Sequence, residues 1–289
     1  MMKNRYRWIV YSGFILIFIA AAWVMIQNEG LIEFSADYGI MTPFWNNWII
    51  SGVLLLLILL LPGSFSDNNP FTKGDKKVLV RQSTILTTLA LLLFIGLLLV
   101  PEDDLSIYFP IFKILLLLIG PVMMFSIYKQ KRSKNNILSI HSYLKDNQWL
   151  YPSIVTVVWI ILYFFSPLAN PEVPEYEMDL IVLIIGASFS FLMNSVLEEL
   201  FYRVWLQTRL EALLGTWPAI MASSLLWAIW HMAIQGGDSA DIAFSNVIVN
   251  QGVMGLFLGF LWAKYRNVWV LIIIHGLINF PMQIVAGLF

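Results

Sequence analysis

Two adjacent carboxylates and an arginine, Glu198-Glu199-Leu200-Phe201-Tyr202-Arg203, are followed along the chain by His231 and then by His275-Gly276-Leu277-Ile278-Asn279. Each group lies in or beside a stretch apolar enough to cross a bilayer. Ionisable side chains are expensive there and by default mark function. A carboxylate and two imidazoles are also the parts needed to activate water for hydrolysis. The third histidine of the chain, His141, sits in a basic loop and is expected to be solvated.

The spacing assigns these groups to helix faces. Glu199 and Arg203 are i,i+4 neighbours and predict an ion pair with a structural role. Glu198 is displaced by about 100° around the helix, so its carboxylate is expected to point elsewhere and stay available. The competing reading of this motif is a solvated helix end. Trp227 lies one turn before His231 on the same face. His275 and Asn279 share a face by the same i,i+4 logic; taken alone, they would make an interhelical polar contact of about 0.6 kcal/mol.

Composition names the solvent. The chain is 59% hydrophobic and 12% charged, with a net charge of -1 and a mean hydropathy of +0.77. A soluble domain carries roughly 25% charged residues; this chain cannot cover itself in polar surface, so lipid must surround it. The charge balance argues against nucleic acid as a partner. Cysteine is absent, which excludes a disulfide framework, a thiolate nucleophile and Cys-ligated zinc.

Nine apolar segments follow from hydropathy: Trp8–Gln27, Trp45–Leu61, Ser83–Val100, Ile107–Tyr128, Leu150–Phe165, Leu180–Trp205, Trp217–Ile234, Ile242–Ala263 and Val268–Leu288. A spanning helix needs about 20 residues. The fold class is therefore all-α, a polytopic transmembrane bundle of about eight or nine spans. Sixteen of the seventeen Lys and Arg residues fall on one side of this arrangement, and the other side carries acidic loops. The positive-inside rule then places the N-terminus in the cytoplasm and the chain in the cell membrane. The exception is Lys113, inside the fourth segment, which is expected to snorkel toward Glu102, Asp103 or Asp104. The first segment exceeds the roughly 7–15 apolar residues of a signal peptide and reads as an uncleaved anchor. The sequence divides near residue 150. Residues 1–149 read as a four-helix scaffold and residues 150–289 as the part carrying the chemistry. Gly255 and Gly259 in the eighth segment form a small-residue face for close helix packing.

The ordered set Glu-Glu-xxx-Arg, aromatic-xxx-His and His-xxx-Asn on separate helices resembles the CPBP family, the CAAX protease and bacteriocin-processing proteins also called Abi. The resemblance covers about residues 180–285. It implies an intramembrane catalytic site made of Glu198, His231, His275 and Asn279, with Glu199 and Arg203 in support. Trp227 stands where the family usually has Phe, and Val204 where Gly often follows the arginine. Neither departure removes a catalytic group.

The reading that results is an intramembrane endopeptidase acting on a membrane-associated peptide or protein. No serine nucleophile motif is present, so water is the expected nucleophile and Glu198 the general base. His231 would orient the water or share its proton, and His275 and Asn279 would donate to the oxyanion. This reading needs no cofactor. Its rival within the same reaction is zinc held by Glu198, His231 and His275 with a fourth position open to water, in keeping with the metalloprotease label the family also carries. The competing class is a non-catalytic immunity or scaffold protein. Geometry separates the two classes, since catalysis requires the four side chains at one place. A long, tilted sixth helix and a cavity opening to the cytoplasm are expected to bring them level.

Overall fold

A computed structural model of the chain describes residues 4–33, 41–63, 69–71, 75–128, 149–168, 179–235 and 239–281. The apolar runs become nine helices among these residues: α1 (Arg7–Asn28), α2 (Phe44–Leu60), α3 (Lys76–Leu98), α4 (Glu102–Ile127), α5 (Leu150–Phe165), α6 (Leu180–Leu214), α7 (Thr216–Ile229), α8 (Ala240–Tyr265) and α9 (Val268–Ile278). Five of them, α1, α3, α4, α6 and α8, are long and apolar enough to cross a bilayer. With the exposed outer faces of α1, α3, α4 and α6 rich in Ile, Leu and Phe, they define an integral membrane protein built as a helical bundle. The only strands among the described residues are a short antiparallel pair, Leu31–Glu33 and Met41–Pro43, between α1 and α2.

Local sequence sets several helix ends. Asp75 accepts from the backbone N–H of Lys77 and Val78 to start α3, Asp179 from Ile181 to start α6, and Asn267 from Trp269 and Val270 to start α9, each satisfying orphan donors of a first turn. Gly215 joins α6 to α7 with φ of 94°, a conformation that costs glycine nothing. Helix α6 continues to Leu214, beyond the expected end at Trp205. Helix α9 stops at Ile278, ahead of Pro281, and residues 282–289 of the ninth expected segment lie outside those described.

Helix α8 is the central post, buried along nearly its whole length. Gly255 and Gly259 let α7 approach it: a Cβ on Gly255 would meet Ser224 Cβ at 2.9 Å, and one on Gly259 would meet Ile220 Cγ2 at 2.9 Å. This is the close helix packing expected of that face. Helices from the two ends of the chain interleave. α1 packs on α7 and α8, α2 packs on α5 and α8, and α3 packs on α6 and on the 3₁₀ turn Trp230–Ala233 that extends α7.

The two ends of the bundle differ in charge. At one end, Arg266 pairs with Glu211, Lys264 donates to the carbonyls of Ile58 and Leu61, Arg209 donates to Gln82, and Tyr151 stacks on Tyr265. At the other end, Trp23 of α1 donates to Asp241 at the start of α8, and Asn47 of α2 donates to Asn250. Glu29, Glu33, Glu102, Asp103, Asp104 and Asp179 belong to helix ends and connections on that second side.

Candidate active site

Helix α6 is wound irregularly where the carboxylates sit. Two π-helical stretches, Phe191–Val196 and Glu199–Gln207, flank Glu198. A π turn widens the helix and changes the angle between successive residues, and such turns gather at functional sites. Both Glu198 and Glu199 are thereby buried, and they face different neighbours. A solvated helix end is ruled out by this burial.

Glu198 is held at both carboxylate oxygens. Trp227 Nε1 donates to Oε2 at 2.5 Å, and the ammonium of Lys113 binds Oε1. Lys113 is itself fully buried. It donates to Asn194 Oδ1 at 2.6 Å and lies 4.3 Å from the ring centre of Phe109 and 4.5 Å from that of Trp230. The expected snorkelling of Lys113 toward Glu102, Asp103 or Asp104 is therefore wrong. The physical reason is charge balance. Two buried carboxylates are adjacent on α6, and Arg203 forms its ion pair with Glu199. An unpaired Glu198 would carry the full desolvation penalty of a lone buried ion. A lysine one helix away removes it.

Glu199 carries two partners. Arg203 Nε lies 3.3 Å from Oε2, as the i,i+4 spacing predicts, and His275 Nδ1 lies 2.9 Å from Oε1. The Glu199–His275 bond was not foreseen; it sets the orientation of the His275 ring and directs Nε2 away from Glu199. His231 follows the same logic. Its Nδ1 bonds the carbonyl oxygen of Trp227 at 2.9 Å, and its ring stacks on Trp230 with centroids 3.8 Å apart. A carbonyl only accepts, so Nδ1 carries the proton and the neutral ring keeps an Nε2 lone pair. Trp227 binds the arrangement together, with its ring centre 5.0 Å from that of His231 and 5.5 Å from that of His275. Asn279 lies in the turn just past the end of α9, one turn beyond His275.

Glu198, His231, His275 and Asn279 line a single cavity of about 440 Å³. The α4 residues Glu102, Leu105, Ser106 and Phe109 and the α2 residue Asn47 complete part of its wall. A second, apolar groove of about 460 Å³, bordered by Ile184, Phe191, Leu192 and Phe280, meets this cavity at Asn279. Gly276 keeps the boundary between them tight, since a Cβ there would lie 2.7 Å from the Phe191 ring.

The zinc alternative would need Glu198, His231 and His275 gathered around one ion. Among the described residues no three His, Asp or Glu side chains gather so as to hold one. The position beside Glu198 Oε1 is taken by an ammonium group, which would repel a dication.

Residues 180–281 match the family model of the Rce1-like type II CAAX prenyl endopeptidases. The matched segment contains all three motifs, and the resemblance read from their residues is borne out over it. No curated protein and no solved structure matches the chain.

Proposed function

We propose that this protein is an intramembrane endopeptidase in which Glu198 activates water. One observation carries the reading: Glu198, His231, His275 and Asn279 come from three separate stretches of sequence and line one cavity inside an apolar bundle. The match to an endopeptidase family over the same residues supports it. A CAAX-type prenylated peptide is one substrate class consistent with that match, and the apolar groove meeting the cavity at Asn279 suits the apolar part of a membrane-anchored substrate.

In this mechanism Lys113 and Trp227 fix the Glu198 carboxylate, and each of its oxygens retains a second lone pair for a water molecule. Glu198 takes a proton from that water as the oxygen attacks the scissile carbonyl carbon. His231 Nε2 accepts from the other water hydrogen and orients the attack. The carbonyl π electrons move to oxygen, where the Asn279 amide and, in its protonated form, the His275 ring donate to the oxyanion. Glu199 sits behind His275 to balance that charge. Collapse of the tetrahedral intermediate breaks the C–N bond, and Glu198 returns the proton to the leaving amine. No step of this proposal is routed through a metal. Removing one oxyanion donor of this kind costs about 2.7–4 kcal/mol in the transition state.

The test compares peptides in membranes from cells expressing the wild type and Lys113→Met/Glu198→Gln, which removes the base without stranding the Lys113 charge. Uncleaved membrane-anchored precursors should accumulate only with the variant. Indistinguishable peptide sets would favour the immunity or scaffold reading.

A further inference from the structure

We infer that the cavity is entered from the non-cytoplasmic face, and that its substrate is a neutral or basic polypeptide segment presented there. The substrate part of this inference rests on the endopeptidase reading; the direction of entry does not.

The direction follows from where the lining residues sit on their helices. Asn47 lies at the start of α2, Glu102 and Ser106 at the start of α4, and Tyr163 at the end of α5. Gln235 follows the last turn of α7, and Asn279 follows α9. All of these are the helix ends on the acidic side of the bundle, the side on which Trp23 meets Asp241. Of the other lining residues, Glu198 and Met254 lie near the middle of their helices. No lining residue comes from the end that holds Arg209, Lys264 and Arg266. Glu102, Ser106 and Asn279 are exposed and form the mouth. With sixteen of seventeen basic residues assigned to the opposite side by sequence, the positive-inside rule puts this mouth outside the cytoplasm. The sequence-based expectation of a cavity opening to the cytoplasm is the opposite arrangement.

The lining states what enters. Among the described residues no lysine or arginine lines the cavity, while Glu102 and Glu198 do. Lys113 lies behind the wall and is engaged by Glu198 and Asn194. A strongly anionic occupant would find no counter-charge. The wall is rich in side-chain amides, and the buried Oε1 atoms of Gln235 and Gln251 have no hydrogen-bond partner among the described residues. A buried acceptor left unmade costs about 1–3 kcal/mol; backbone N–H groups of an extended peptide would satisfy both.

The absence of cysteine from the chain makes the test direct. Ser106→Cys, at the mouth, and Lys77→Cys, at the start of α3, are made separately in the full-length protein. Intact spheroplasts expressing each are treated with a membrane-impermeant maleimide, before and after permeabilisation. Ser106→Cys should label fully in intact spheroplasts, and Lys77→Cys should gain label at least tenfold only on permeabilisation. The reverse pattern overturns the inference. The accumulating peptides of the same wild-type and Lys113→Met/Glu198→Gln comparison supply the second arm. Cleavage sites in externally exposed, neutral or basic segments support the substrate class, and sites in cytoplasmic or strongly acidic segments overturn it. External labelling with no accumulating peptide upholds the direction of entry while removing the hydrolase reading and, with it, the substrate class.

Discussion

The ammonium of Lys113 on α4 binds the carboxylate of Glu198 on α6, and both side chains are fully buried. The pair joins the half of the chain that carries the motifs to the half that carries none. Glu198 therefore has a counter-charge in a bundle surrounded by lipid only while α4 is packed in place. Bringing a single charge into such surroundings costs about 2.5–3.5 kcal/mol even by the most lenient measure.

Removing one member of this pair should destabilise the fold. Lys113→Met and Glu198→Gln are each expected to lose about 3–5 kcal/mol, the cost of stranding a buried charge. The double variant should recover most of that loss, because neither charge then remains. Denaturant unfolding of the purified protein in detergent measures all three. Strictly additive losses in the double variant would show that the two side chains do not act as a pair.

Turnover should separate from folding at the two carboxylates. Lys113→Met/Glu198→Gln is expected to be folded and inactive, with kcat down by about 10²–10⁴ for loss of a general base. Arg203→Ala should instead lower the yield of folded protein, since Glu199 loses its charged neighbour on α6. Activity per folded molecule, assayed with an internally quenched membrane-anchored peptide, distinguishes the two. Full activity in the double variant would contradict Glu198 as the base.

Asn279→Ala tests the oxyanion assignment. The loss should fall on kcat by roughly 10²–10³ with KM nearly unchanged, the pattern of a contact made only in the transition state. A rise in KM at constant kcat would make Asn279 a substrate-binding residue instead.

Gly255→Val tests how Trp227 supports the base. A Cβ on Gly255 would lie 2.9 Å from Ser224 Cβ and 3.1 Å from Trp227 Cε3, so a branched side chain presses on the α7 face that carries the indole donating to Glu198 Oε2. Misplacing a catalytic group by about 1 Å costs up to 10² in rate. The expected result is a kcat reduced ten- to a hundredfold, by roughly that principle, in protein that still folds. Unchanged kcat in a folded variant would show that Trp227 does not position Glu198.

Chelation should leave activity intact. Purified protein is expected to hold far less than one zinc per chain and to turn over peptide after dialysis against a chelator. Tight stoichiometric zinc, with activity lost on removal and restored on return, would reassign Glu198, His231 and His275 as ligands.

Much of this protein was legible in its sequence because the relevant physics is local. Apolar runs of spanning length required helices, since an unpaired backbone in lipid is too costly. Caps at Asp75, Asp179 and Asn267 are short-range hydrogen bonds, and the Glu199–Arg203 pair is set by the helical repeat. The spacing of His275 and Asn279 is of the same kind. What only the tertiary structure decided depends on which helices become neighbours. Hydropathy does not state that α4 turns Lys113 inward, that Glu199 reaches His275 on α9, or that Trp227 bridges Glu198 and the two histidines. One signal for Lys113 was present: two carboxylates but one arginine occupied the α6 motif, and Lys113 was the one basic residue inside a span on the wrong side. Balancing buried charge across helices, rather than sending the stray cation to water, would have paired it with Glu198. The side on which the cavity opens was likewise beyond sequence, because a cavity belongs to the gaps between helices and not to any one of them.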